Sequence, residues 1–286
     1  MSYTLPIGGS KLSYKLYEPS RNASKALIVL VNGLRTVMQA WDDVATSISD
    51  SNVPVLCYDR WNNCESDPPP ASREARNDIW TCAEDLQILL TKATSEHQLP
   101  ERVILVGSSV GCSIIRLCLQ RFQEISTRTT AVVFLDSYMS DTDFVSLFPP
   151  PADDEPPALT KTREVMAQKF HPALPNPEGL SLENARELLS EADTPRLREG
   201  IEVVVVGHDP EHTARSMEET LGTEPELFLK YVQSAWDSWN DGLGRLSTRS
   251  KYLMAENSGH FIYRDRPDLV TGLVLNLLED KTRQAA

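Results

Sequence analysis

The chain has 286 residues, 41% of them hydrophobic, and a formal net charge of −13. That length admits one large domain or two small ones, with enough apolar residues for a sizeable core. So acidic a balance argues against nucleic acid and anionic membrane surfaces as partners, since both repel it.

No apolar run approaches the length of a membrane span, and neither end carries a recognisable leader, lipidation signal or peroxisomal address. Cysteines occur at 57, 64, 82, 112 and 118, an odd set without metal-type spacing. Reduced thiols in a cytoplasmic protein are therefore expected.

In chain order, residues 1–18 read as a strand pair turning at Gly8-Gly9, with alternation through Leu12, Tyr14 and Leu16. Ala26–Val31 is apolar throughout, the pattern of a strand covered on both faces. A helix is expected over 38–48, a strand over 53–58, and then a loop of turn formers from Asp59 to Pro70. Ile79, Ala83, Leu86 and Leu90 carry helical spacing within a helix expected over 73–94. Strands follow at 103–106 and 131–135. Residues 140–200 are interrupted by prolines and acids, with helices expected around 159–169 and 181–192. We read this stretch as a lid inserted into a core formed by 1–139 and 201–286. Strands at 201–206 and 252–255 and helices at 224–243 and 267–279 complete the chain. Strands alternating with helices predict an α/β fold with a mostly parallel sheet covered on both faces.

One turn stands out. The strand Val103–Val106 runs into Gly107-Ser108-Ser109-Val110-Gly111, and a helix with an apolar face through Ile114, Ile115 and Leu117 follows. Strand, G-x-S-x-G, helix is the context in which a serine is presented on a strained turn, with helix N-terminal N–H groups favouring negative charge beside it. Ser109 is the candidate nucleophile. Cys112, one turn further on, reads as a small buried side chain.

Such a serine needs a base and an orienting carboxylate, in the order serine, acid, histidine. His260 follows the final strand in a Ser-Gly-His turn, whereas His97 lies at a polar helix end and His171 in the inserted stretch. Two acids obey the order, Asp136 after one strand and Asp209 after the next, and pattern alone leaves both open. The oxyanion donors are expected to be the backbone N–H groups of Val110 and of Leu34, with Gly33 leaving room for substrate. Asn32 is expected at the substrate side of that loop, where its amide also fixes the loop. Trp61, Phe144, Trp236 and Trp239 are candidates for an apolar acyl pocket.

These segments resemble the α/β-hydrolase superfamily over essentially the whole chain. Within it they are similar to single-domain esterase-like hydrolases whose signatures are His-Gly after a strand, Y-D-R-x-G-x-G-x-S-D-P, G-H-S-x-G-G and S-G-H-F-I-x-x-D-R-P. Here they stand as Asn32-Gly33, Tyr58-Asp59-Arg60-Trp61-Asn62-Asn63-Cys64-Glu65-Ser66-Asp67-Pro68, Gly107–Cys112, and Ser258-Gly259-His260-Phe261-Ile262-Tyr263-Arg264-Asp265-Arg266-Pro267. Asn32 and Ser108 replace histidines, and Trp61–Cys64 replaces a glycine-rich loop, so the substrate is expected to differ from that of simple esterases. The resemblance implies a helical lid on an α/β-hydrolase core and an acyl-enzyme formed by Ser109 with His260 as base. It also implies no metal or organic cofactor. Its closer relatives place the acid at Asp136, the superfamily at large at Asp209.

The reading is a serine hydrolase of a carboxylic ester, lactone or thioester of a small, partly apolar molecule, working as a monomer or homodimer. The alternatives are a lyase, C–C bond hydrolase or cyclase on the same fold, or a ligand receptor without catalysis.

Overall fold

The computed structural model describes residues 1–19, 24–74, 76–171, 173–189 and 197–283. Eight strands form one sheet in the order β1-β2-β4-β3-β5-β6-β7-β8. They are β1 (Ser2–Ile7), β2 (Ser10–Tyr17), β3 (Ala26–Val31), β4 (Val55–Tyr58), β5 (Arg102–Ser108), β6 (Thr129–Leu135), β7 (Glu202–Gly207) and β8 (Ser250–Met254). The β1–β2 hairpin and its edge on β4 are antiparallel, and from β4 to β8 every pairing is parallel.

Two apolar layers explain why the parallel strands read as unbroken hydrophobic runs. Along β3, Leu27, Val29 and Val31 enter the cluster on one face, while Ile28 and Leu30 enter the cluster on the other. The first layer is covered by α2 (Ile79–Glu96) and α3 (Val110–Arg121), through Leu86, Leu90, Ile114 and Leu117. The second is covered by α1 (Asp42–Asp50), through Val44 and Ile48, and by the C-terminal helix Pro267–Arg283, through Val270, Val274 and Leu277. All six β3 residues are buried, and each Val, Leu or Ile among them contributes on the order of 2 kcal/mol by leaving water. Among the described residues no helix is long and apolar enough to cross a membrane.

The larger departures of the elements from the sequence reading are three. The helix expected over 73–94 is split, with one turn at Ala71–Glu74 and α2 beginning at Ile79. Asp78 causes the break. Its carboxylate accepts from the Thr81 N–H (3.0 Å) while the Thr81 hydroxyl accepts from the Asp78 N–H (3.0 Å), a capping box that fixes where the helix starts. The helix expected over 181–192 forms one turn, Ala185–Leu188, and residues 190–192 lie outside the described residues. A further helix, Pro210–Leu221, went unpredicted. Its signal was present: Asp209 caps it and Pro210 takes the first position, where the missing N–H costs nothing.

The segment between β6 and β7 carries the helix Pro157–Phe170, named α4 here, and folds back on the core. Ser181 donates its N–H to Asn77 (2.7 Å), and Asn184 donates to the Asp78 carboxylate (2.7 Å). Asp78 thus serves both the α2 cap and the inserted segment. Replacing Asp78 by Ala is expected to cost about 1–2 kcal/mol in urea denaturation. A variant as stable as the parent would show that neither contact matters.

Candidate functional site

Parallel strands gather their C-terminal ends on one edge, and the order reverses where β3 lies between β4 and β5. Loops leaving β3 and β5 diverge to opposite sides there, which opens a crevice. Ser109 lies at the end of β5, directly beside that point.

Its backbone is strained. Ser109 has φ 53° and ψ −124°, a region that ordinarily costs a non-glycine residue about 1–3 kcal/mol. Packing holds it there. The Ser109 N–H donates to Leu135 (3.0 Å), and its carbonyl accepts from the Cys112 N–H (3.0 Å). The glycines on either side are required by close approach rather than by flexibility. A Cβ on Gly107 would come within 2.8 Å of the Cys112 nitrogen, and one on Gly111 would collide with the carbonyl oxygens of Val31 and Asn32. The serine therefore sits at the N-terminus of α3, where the helix dipole favours negative charge. Cys112 is buried, with its thiol directed at the Gly107 carbonyl (3.2 Å), and burial pushes its pKa well above the ordinary thiol value.

The loop after β3 passes against the serine: a Cβ on Gly33 would lie 3.2 Å from the Ser109 Cβ. Gly33, Leu34, Ser109, Val110 and His260 all line one cavity of about 570 Å³.

His260 is aimed by the turn that precedes it. The Asp265 carboxylate accepts from the Gly259 N–H (2.8 Å) and the Ser258 hydroxyl (3.2 Å), closing the Ser-Gly-His loop on the segment that follows. His260 Nδ1 then lies 2.5 Å from Asp136 Oδ2. Asp136 is fully buried at the end of β6, with φ 43° and its N–H on the Val206 carbonyl (2.8 Å). Its other oxygen, Oδ1, faces His208 Nδ1 at 2.7 Å. Burial alone would raise the carboxyl pKa, but the charge and hydrogen bond of His208, with His260 added, hold it at about 2. A carboxylate so held stays ionised through the neutral range and fixes the His260 ring with Nδ1 as donor, leaving Nε2 as the other ring nitrogen.

The two acids that the sequence left open are thereby separated in space. Asp209 is the cap of the Pro210–Leu221 helix, Oδ1 accepting from Glu211 and His212 (both 3.1 Å) and Oδ2 from the Asn257 N–H (3.0 Å). Its carboxylate is engaged in backbone capping, and Asp136 makes the contact with His260.

The expected substrate-side residues divide. Phe144 and Trp236 line the cavity with ring centroids 5.4 Å apart, and the Trp236 indole donates to the Ser137 carbonyl (3.2 Å). Trp61 is instead core: it is buried, and its indole donates to Asp85 Oδ2 (2.6 Å). Trp239 is buried away from the cavity wall, with the Arg116 guanidinium over its ring. Asn32 is fully buried and does not line the cavity. Its amide donates to the Tyr58 carbonyl (2.9 Å) and accepts from the Trp41 indole (2.7 Å), tying the end of β3 to that of β4. The amide takes the fixing role expected of it, because a polar side chain buried at a strand end must satisfy its own hydrogen bonds. His171 is on the cavity wall, and His97 meets the Tyr14 hydroxyl (2.8 Å).

Four residues at the site went unread in the sequence. Two are His208 and Gln233, whose Oε1 lies 2.8 Å from His208 Nε2. The others are Arg60 and Glu178, a buried ion pair beneath the β3 loop. Arg60 donates to the carbonyls of Asn32 and Gly33 (both 2.7 Å) and grips Glu178 through Nε (2.7 Å) and Nη2 (3.0 Å). Glu178 in turn accepts from the Arg35 N–H (2.6 Å). The loop that carries Leu34 is thus clamped on both sides, one jaw coming from the inserted segment. Arg60 had a signal in Tyr58-Asp59-Arg60. Glu178, 118 positions further on, had none.

A buried charge stripped of its partner is costly. Glu178→Ala is expected to destabilise the fold by about 3–5 kcal/mol in urea denaturation. Glu178→Gln, which keeps an acceptor, is expected to lose less. Equal losses would mean that the charge plays no part.

A model of the alpha/beta hydrolase family matches residues 28–273. Among curated proteins, none matches the sequence significantly. Solved structures similar in fold include an enol-lactonase from Burkholderia xenovorans, at 15% identity and TM-score 0.60, covering 97% of this chain and 100% of that one. A thermophilic esterase from Thermogutta terrifontis has 15% identity and TM-score 0.59, covering 97% and 96%. A haloalkane dehalogenase from Bradyrhizobium elkanii has 12% identity and TM-score 0.61, covering 100% and 99%.

Proposed function

The chain belongs to the alpha/beta hydrolase family, and from that premise we propose that it is a serine hydrolase cleaving a carboxylic ester, lactone or thioester of a small, partly apolar molecule. One observation carries this reading. A serine on strained backbone and a histidine held by a buried, ionised carboxylate share the wall of a single cavity.

In this reading Ser109 attacks the substrate carbonyl as His260 Nε2 takes its proton. Asp136 keeps the imidazole in the productive tautomer and stabilises the imidazolium without itself becoming protonated. The oxyanion accepts from the N–H groups of Val110 and Leu34, donors set in place before charge develops, which is why they are effective. His260 next protonates the leaving group. Water, activated by the same ring, then releases the acid from Ser109.

The cavity supports the substrate class. Met139, Phe144, Leu174, Leu182, Phe228 and Trp236 give it a wall suited to an apolar arm. Phe144, Leu174 and Leu182 belong to residues 140–200, which act as the lid and exclude water from the acyl-enzyme. The esterase and enol-lactonase among the similar structures support ester and lactone bonds, whereas the dehalogenase marks the range of chemistry the fold carries.

The test is intact-protein mass after exposure to a fluorophosphonate, followed by a panel of esters, lactones and thioesters. One adduct is expected on the parent and none on Ser109→Ala. A folded parent that takes no adduct and turns over no member of the panel sinks the reading. Asp136→Asn is expected to slow labelling by about 10³–10⁴-fold, through loss of the correct His260 tautomer. Asp209→Asn keeps a side-chain oxygen for the helix cap, so it is expected to change stability little and to label at near the parent rate. The reverse ranking would transfer the acid role to Asp209.

A further inference from the structure

Asp136 is unusual in having a histidine on each carboxylate oxygen, and the second histidine leads away from the substrate. His208 is buried at the end of β7, 2% exposed, with its ring edge-on to Trp236 and tilted against Phe228. Its Nδ1 faces Asp136 Oδ1 (2.7 Å) and its Nε2 faces Gln233 Oε1 (2.8 Å). The orientation of that glutamine is fixed from outside, because its amide nitrogen donates to the exposed carboxylate of Asp237 (2.9 Å). With the NH₂ spent on Asp237, oxygen must face the histidine. Both ring nitrogens of His208 then meet acceptors, and only the doubly protonated ring can satisfy both.

We propose that His208 is carried as a buried imidazolium that positions Asp136 and, as a fixed positive charge on its far oxygen, lets the site work at lower pH than a simple serine, histidine and aspartate set would. The proposal rests on the reading of Ser109 and His260 as the reacting pair. His208 touches neither substrate nor reacting atoms, so it is a positioning residue.

The charged and titratable groups facing it come from four directions. They are Asp136 at the end of β6, His260 beyond β8, Asp237 on the helix Ser234–Gly244, and the Tyr252 hydroxyl of β8, which lies beside Gly207. Burial disfavours the charged ring, but the Asp136 carboxylate and the hydrogen bonds to Asp136 and Gln233 outweigh it, so its pKa lies above the ordinary histidine value.

The consequence for turnover follows from sign. As His260 gains the Ser109 proton, the Asp136 carboxylate comes to lie between two imidazolium rings, so part of its field is already spent on His208. A fixed positive charge on one side of Asp136 opposes a second on the other side, and the acid limb of the pH profile moves down. Removing the fixed charge should therefore move that limb up, by on the order of one pH unit.

The first experiment is ¹⁵N NMR of the ring nitrogens in histidine-labelled protein between pH 5.5 and 9. One ring is expected to show both nitrogens protonated at pH 7.5, and Gln233→Leu, which removes the acceptor from Nε2, should convert that ring to a singly protonated form. A parent in which every ring is singly protonated at pH 7.5 overturns the proposal. The second experiment follows the fluorophosphonate labelling rate against pH for the parent, His208→Gln and Gln233→Leu. Gln233→Leu keeps the His208–Asp136 contact and so removes the charge without removing the support. An upward shift of the acid limb in either folded variant is expected. An unshifted limb in both overturns the proposed effect on working pH, since a purely structural role would lower the rate without moving the limb. Failure of the parent to label strikes at the functional reading instead, while the NMR result still decides the charge on His208.

Discussion

A carboxylate with no exposure to water must find donors for both oxygens, and at Asp136 that requirement organises the C-terminal edge of the sheet. Oδ1 draws in the end of β7 through His208, and Oδ2 draws in the loop after β8 through His260. Its own N–H is bound to β7 and the Leu135 carbonyl accepts from Ser109, so β5, β6, β7 and the loop after β8 meet at one dipeptide. The positive φ values of Ser109 and Asp136 belong to the same arrangement. Two strained residues at adjacent strand ends persist because the hydrogen bonds around them leave no relaxed alternative.

A second buried charge cluster does comparable work on the other side of the crevice. Arg60 can remain unhydrated because its donors are spent on Asn32, Gly33 and Glu178. The β3 loop is consequently held by backbone carbonyls, with little left to its own side chains. Glu178 belongs to the inserted segment, so docking of that segment and the shape of the loop carrying Leu34 are parts of one interaction. A segment that rearranged would uncouple the clamp, leaving Arg60 buried without a counter-charge. The geometry therefore favours keeping that segment docked on the β3 loop.

The fold was legible because its signals are local. The runs Ala26–Val31 and Ile201–Val206 read as strands covered on both faces, and the spacing of Leu86 and Leu90 or of Leu273, Val274 and Leu277 reads as a core-facing helix stripe, as the structure has them. Boundaries were less legible. Asp78 interrupts a periodic pattern by capping, and the Asp209-Pro210 start of a helix looks like an isolated turn until the residues after it are seen to be wound. The four aromatic candidates divide between cavity wall and core for a related reason. A tryptophan buries much the same area in a core as in a pocket, so composition alone did not distinguish Trp61 from Trp236.

By itself the sequence determined the alternation of strands and helices, and the turns that carry Ser109 and His260, since a short motif with its own glycines dictates its own backbone. Tertiary structure alone decided that Asp136 rather than Asp209 meets His260. Both follow strands that end on the same edge, and they differ only in what else competes for their oxygens. Asp209 is claimed by helix N–H groups three residues away or fewer and by Asn257, whereas Asp136 faces two rings brought from 72 and 124 positions along the chain. Contacts at that separation are set by the register and order of the sheet, which no local pattern encodes.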